Sequence, residues 1–201
     1  MKHAALLLLL ATAACSSGSP TVSAPSPTVA PTPTSSSSAS PAATATPTAT
    51  VAAGTLVLET DGLGVLTGGT HIDHFPFSGT NAAQIEAIVA RLYGRGATTA
   101  QPECGQGPRS SYRAKGISLL LHGRTWVGWS STQKGVTTAD GIGAGVTRAA
   151  VESSGTAVTF SQTTLGTEFM TADGGFGGVM TGPKRTDTVS TAYAGETCFF
   201  R

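Results

Sequence analysis

Residues 16–53 contain no aromatic and no charged residue, yet they hold 7 of the chain's 11 prolines. A segment with so little apolar surface cannot offset its own ordering entropy and is expected to be a disordered linker. The chain also lacks an excess of charge of either sign. Lys2 apart, it carries 11 basic and 11 acidic residues, so nothing in the charge balance attracts nucleic acid or an anionic membrane surface. It has no apolar run near the ~20 residues of a spanning helix. Cysteine is scarce, with 3 in 201 residues, which excludes a disulfide-dense miniature scaffold. Two signatures are missing as well: a Gly-x-Ser-x-Gly nucleophile elbow, and a phosphate loop with its lysine.

What is present begins with an export signal over residues 1–14. Lys2 and His3 form a short polar start, and five consecutive leucines, Leu6–Leu10, form its apolar core. The small residues Ala13-Ala14 then precede Cys15, as in the lipobox of bacterial lipoproteins. There the cysteine is acylated and becomes the mature N-terminus. Thr12 stands where that pattern usually has Leu. The reading is lipidation at Cys15, with ordinary secretion as the alternative. Residues 15–53 are then a lipid anchor and its Ser/Thr/Pro/Ala linker. As a flexible coil the linker would span on the order of 35 Å, and up to ~120 Å if wholly polyproline-like. The remaining residues, 54–201, are enough for one domain with a normal core.

Within that domain Cys104 and Cys198 are the two cysteines left. Export favours their pairing over two free thiols or a metal site. Thr55–Leu58 reads as a first strand, and Asp61-Gly62-Leu63-Gly64 as a turn. Asn81–Tyr93 is the clearest helix. Ile85, Ile88, Val89 and Leu92 lie on one face at helical spacing, Asn81 with Gln84 resembles a capping box, and Gly94 stands at the C-terminal end. Residues 95–115 are polar and read as a loop. Ile117–Leu121 and Thr125–Trp129 read as a hairpin. Thr147 caps a second, short helix that ends near Gly155. Further strands are expected around Ala157–Ser161, Leu165–Met170, Gly177–Met180, Asp187–Tyr193 and Thr197–Phe200. The fold class is therefore α+β: an antiparallel sheet of short strands with two helices on one face. Asp140-Gly141-Ile142-Gly143 echoes Asp61-Gly62-Leu63-Gly64, 79 positions earlier. An internal duplication is one reading of that echo, although the later elements are offset by less.

Residues 55–201 resemble an uncharacterised family of actinobacterial secreted proteins and lipoproteins. The matching stretches are Asp61–Gly64, Lys115–Leu119, Val127-Gly128-Trp129, Thr138–Gly143, Leu165–Phe169 and Ala194–Arg201. The resemblance implies export and these domain limits, and it carries no activity. At the level of architecture, two short helices on such a sheet also resemble beta-lactamase inhibitory proteins and the small outer-membrane assembly lipoproteins. Architecture alone does not carry function.

The residues that bear chemistry are dispersed. His71-Ile72-Asp73-His74 has metal-ligand residue types, but it reads as a solvated loop with no second cluster to complete a shell, so no metal or cofactor is expected. His122 stands alone in a hairpin turn. Glu59, Asp61, Glu103, Asp140, Glu168 and Asp173 are the carboxylates from which an acid/base pair would have to come, and no catalytic residue is assigned among them. Trp126 and Trp129 are candidates for a binding surface. Three positions apart on a regular strand, they are expected on opposite faces, and core packing of both is the favoured reading. The leading function is a non-catalytic envelope module, membrane-held by its lipid, that binds a wall component, a protein or a small ligand. A wall-acting hydrolase and an inhibitor of a secreted enzyme are the rivals.

Overall fold

A computed structural model describes residues 54–199. The expected signal, Cys15, the linker and Phe200 lie outside the described residues. The chain opens with three antiparallel strands: β1 (Gly54–Glu59), β2 (Gly62–Thr67) and β3 (His71–Pro76). Leu56 and Leu58 of β1 lie opposite Val65 and Leu63 of β2, so period-two alternation puts all four on one face. All four are buried. Residues 71–74, expected as a loop, are therefore a strand. The glycines of β2 and the polar side chains of β3 disguise it.

Helix α1 (Ala82–Tyr93) follows. The Asn81 side chain accepts from Gln84 N at 2.9 Å, and Gly94, at φ 88°, returns its N–H to Ala90 O. Both ends are thus satisfied as their residue types predict. Ile85, Ile88 and Val89 form the buried stripe, each contributing about 1.5–3 kcal/mol by leaving water.

An eight-stranded antiparallel sheet receives that helix. Its strands are β4 (Ala97–Gln101), β5 (Arg109–Ala114), β6 (Ile117–His122), β7 (Thr125–Ser131), β8 (Val158–Thr163), β9 (Gly166–Thr171), β10 (Phe176–Met180) and β11 (Val189–Gly195). The order across the sheet is β4-β5-β6-β7-β11-β10-β9-β8. Each half is a helix followed by a four-stranded meander, the second helix being α2 (Arg148–Glu152), capped by Thr147. The halves meet where β7 pairs with β11. The architecture is thus α+β and repeats its topology. The sequence offset is not constant because β1–β3 precede only the first half. In the second half a loop over residues 132–146 takes their place.

Two further expectations are corrected by the large sheet. Residues 95–115 contain β4 and β5, and only the segment between those strands is a loop. Residues 197–199 are not a strand; they cross the sheet as an irregular strap. The strap is pinned by the Cys104–Cys198 disulfide, whose Cα atoms are 5.0 Å apart. Arg109 pairs with Glu196 at 2.8 Å beside it, and Phe199 packs edge-on to Tyr193.

One face of the large sheet carries the core. Leu119, Leu121, Phe169, Phe176 and Ala192 join Ile85 of α1, Val151 of α2 and the inner residues of β1–β2 in one apolar cluster. Trp126 and Trp129 lie in it too, 0% and 2% exposed. They share a face because β7 is bulged: Leu120 pairs with Gly128, but Leu121 pairs with Trp126, leaving Val127 as an extra residue.

Candidate functional site

Two places on the domain bring chemistry-bearing side chains together. The first is built by the small sheet. Glu59 ends β1, Asp61 sits in the turn to β2, and His74 lies on β3 opposite Gly64. Glu59 and His74 are on outer strands, with β2 between them. They meet only because β2 presents glycines there: a Cβ on Gly64 would fall 2.7 Å from Glu59 Oε1. His74 Nδ1 hydrogen-bonds Glu59 Oε2, and His74 Nε2 stands 3.5 Å from Asp61 Oδ2. The hydrogen bond to Glu59 holds the imidazole pKa above its ordinary value, partial burial opposes this, and the charges of Glu59 and Asp61 add to it.

The second Asp-Gly motif closes the same cleft. Leu58 N donates to Thr137 O at 2.9 Å, which lays the 136–145 loop along the free edge of β1. Asp140 then lines the cleft and accepts from Thr156 Oγ1 at 2.7 Å. The two motifs that echo each other in sequence thus face one cavity of about 360 Å³, floored by Leu58, Ile142 and Phe176. Glu59, Asp61 and His74 have one donor atom each within 4.8 Å of the others, so they are the described residues best placed to hold a cation. The cluster read from sequence is split. His71 pairs with Asp73 at 3.1 Å, while His74 points to the other face of the sheet and finds Glu59. The signal that could have found this is an acidic pair flanking a hairpin turn, followed by Gly-x-Gly.

The second place is the face of the large sheet turned away from the core. The register aligns Arg113, Ser118, Ser130, Tyr193, Gly177 and Met170 across successive strands on that face. Arg113 Nε donates to Ser111 Oγ at 3.1 Å, and Ser111 Oγ lies 2.9 Å from Ser118 Oγ. The strap crosses here because Gly128 has no side chain; a Cβ would meet Glu196 O at 2.1 Å. Beneath and beside the strap are a cavity of about 130 Å³ lined by Arg113 and the serines, and two wider ones of about 320 and 350 Å³.

The other carboxylates do not join a constellation. Glu103 is exposed in the β4–β5 loop. Glu168 is buried and accepts from Tyr193 OH at 2.9 Å. Asp173 accepts from Thr171 Oγ1 and Gly175 N, and these bonds hold its carboxyl below the usual range. His122 is exposed at the end of β6. Trp126 and Trp129 are both turned inward by the bulge and are buried. Trp129 borders the small cavity with almost none of its own surface exposed. No family model, no curated protein and no solved structure matches this chain.

Proposed function

We propose that this protein is a non-catalytic binding module, held at the cell envelope by a lipid on Cys15 and displayed on the 15–53 linker, and that it binds a wall component. The observation that carries the reading is the open face of the eight-stranded sheet. Both helices and the small sheet pack on the opposite face, so this one is left to the strap and to a row of side chains that includes Arg113, Ser118 and Ser130. Sheets that can face solvent on one side need only the other for stability. Here the open side carries a disulfide-pinned strap that leaves cavities beneath and beside it. The short leader ending in Ala13-Ala14-Cys15 and the likeness to actinobacterial secreted proteins and lipoproteins support the envelope location. The test is co-sedimentation of the mature chain with purified cell-wall sacculi. Saturable retention is expected, and a chain that stays wholly in the supernatant contradicts the reading.

A hydrolase is the second reading, favoured by a single cleft lined by Glu59, Asp61, His74 and Asp140. Paired carboxylates are what glycoside cleavage requires. Release of reducing ends from sacculi, lost in Glu59→Gln and Asp140→Asn, would move the function to that cleft.

A further inference from the structure

Arg113 differs from the paired arginines of the domain. Arg109 is held by Glu196, and Arg148 and Arg185 by Glu152. Arg113 has no carboxylate within ion-pair distance among the described residues. It is nevertheless oriented: its Nε is spent on Ser111 Oγ, and Ser111 is only 2% exposed and bonded in turn to Ser118. That leaves the two terminal nitrogens of the guanidinium, with four N–H groups, without a described partner. Arg113, Ser118 and Ser130 line both the cavity of about 130 Å³ and the adjoining one of about 320 Å³, and Phe199 of the strap walls both. Glu196 also borders the smaller cavity, but Arg109 Nε and Nη2 both donate to its Oε2, at 3.0 and 2.8 Å. The surplus charge at the pocket is therefore the cation of Arg113.

A planar guanidinium fork beside two hydroxyls matches a carboxylate in shape, charge and hydrogen-bond sense. The smaller cavity has room for that group with a small side chain on the adjacent carbon, and the wider one takes what precedes it. We infer that the Arg113 pocket binds the free C-terminal carboxylate of a short peptide ending in a small residue. Arg113 grips the carboxylate, Ser118 and Ser130 donate to it, and Phe199 covers the chain. This deepens the open-face reading above and rests on it.

The experiment is a titration of the mature, disulfide-intact chain, followed by amide NMR. The probes are N-acetyl-Ala-Ala in its all-L and all-D forms, each as free acid and as carboxamide. The acid is expected to shift the amides of Ser118, Ser130, Thr197 and Phe199, and the carboxamide to bind at least about tenfold more weakly, since it loses a charge-assisted pair. Arg113→Gln should cost a similar factor. Arg113→Lys should fall between, because a point charge replaces the fork. The side chain is exposed, so these variants should melt with the wild type. Should one fail to fold, the acid-against-amide comparison on the wild type still decides. Binding of either stereoisomer supports the site. A D,D preference points to a wall stem peptide and an L,L preference to a protein tail. Equal affinity for acid and amide, or wild-type binding by Arg113→Gln, overturns it. If neither acid shifts the pocket while the mature chain still co-sediments with sacculi, the carboxylate site falls and the envelope-binding reading stands.

Discussion

Cys104 and Cys198 are 94 residues apart in the chain and joined by a disulfide, with their Cα atoms 5.0 Å apart. The bond ties the β4–β5 loop to the strap, two segments with few apolar anchors of their own. Cys104→Ser and Cys198→Ser should each cost about 2–4 kcal/mol. The double variant should cost no more than the dearer single one, because all three remove the same bond. Denaturant melts of the three variants check this. Additive losses, or two free thiols in non-reducing peptide maps, would contradict it.

His74 should titrate above its ordinary value of 6.5. A group whose pKa is raised on folding holds its proton more tightly in the folded state. Its contribution to stability is therefore complete below the unfolded pKa of about 6.5 and disappears as pH rises through the folded midpoint. In metal-free buffer the imidazole signals should give that raised midpoint, and the melting temperature should fall across the same window. Glu59→Gln should return the midpoint toward 6.5 and flatten the decline. An unshifted midpoint in the wild type would remove the Glu59–His74 contact from the account.

Gly64→Ala tests why β2 carries glycine. Its new Cβ would crowd Glu59 Oε1 and Ile72 Cγ2, each 2.7 Å away. Both are side-chain atoms that can yield, so a cost of about 1–3 kcal/mol is expected. The more telling result is the displacement of Glu59, which should lower the His74 midpoint as Glu59→Gln does. An alanine variant with an unchanged midpoint would mean that glycine is not what lets the two side chains meet.

Trp126 and Trp129 should behave as core residues. Replacing either by Ala should cost about 3–5 kcal/mol, and iodide should not quench their fluorescence in the folded chain. Trp129 has one further role: its indole N–H donates to Glu59 O at 3.2 Å, tying the core to the end of β1. Ready quenching of either would put it back on the surface.

How legible each part was follows from how locally it is determined. Helix α1 could be read directly, because its stripe, Asn81 and Gly94 are local signals that agree. Strands β4 and β5 were hidden. Ala97–Gln101 is an exposed edge strand, and β5 turns only Tyr112 and Ala114 to the core, too few apolar positions to reveal alternation. The bulge at Val127 inverted the facing expected of one tryptophan, since a single extra residue shifts the period-two pattern. The Glu59–His74 pairing depends on the register of three strands, and the Arg113 pocket on five strands and a strap. Neither arrangement is written in any local run of residues. The disulfide could be anticipated because only two cysteines remained to pair.

Lipidation at Cys15 predicts that the mature chain begins there with an acyl mass, and that Cys15→Ser leaves the membrane fraction or stays unprocessed. A mature N-terminus downstream of Cys15 without that mass would make the protein freely secreted.

The claim on which the rest depends is that ligand meets the open face of the large sheet and not the Glu59–His74 cleft. Amide hydrogen exchange of the mature chain, with and without soluble cell-wall fragments, separates the two most directly. Protection is predicted on β5, β6, β7 and the strap, around Ser111, Ser118, Ser130 and Phe199, with no change at Glu59, Asp61, His74 and Asp140. Protection confined to those last four residues, with fragments shortened during the incubation, would contradict the account and make the protein a hydrolase.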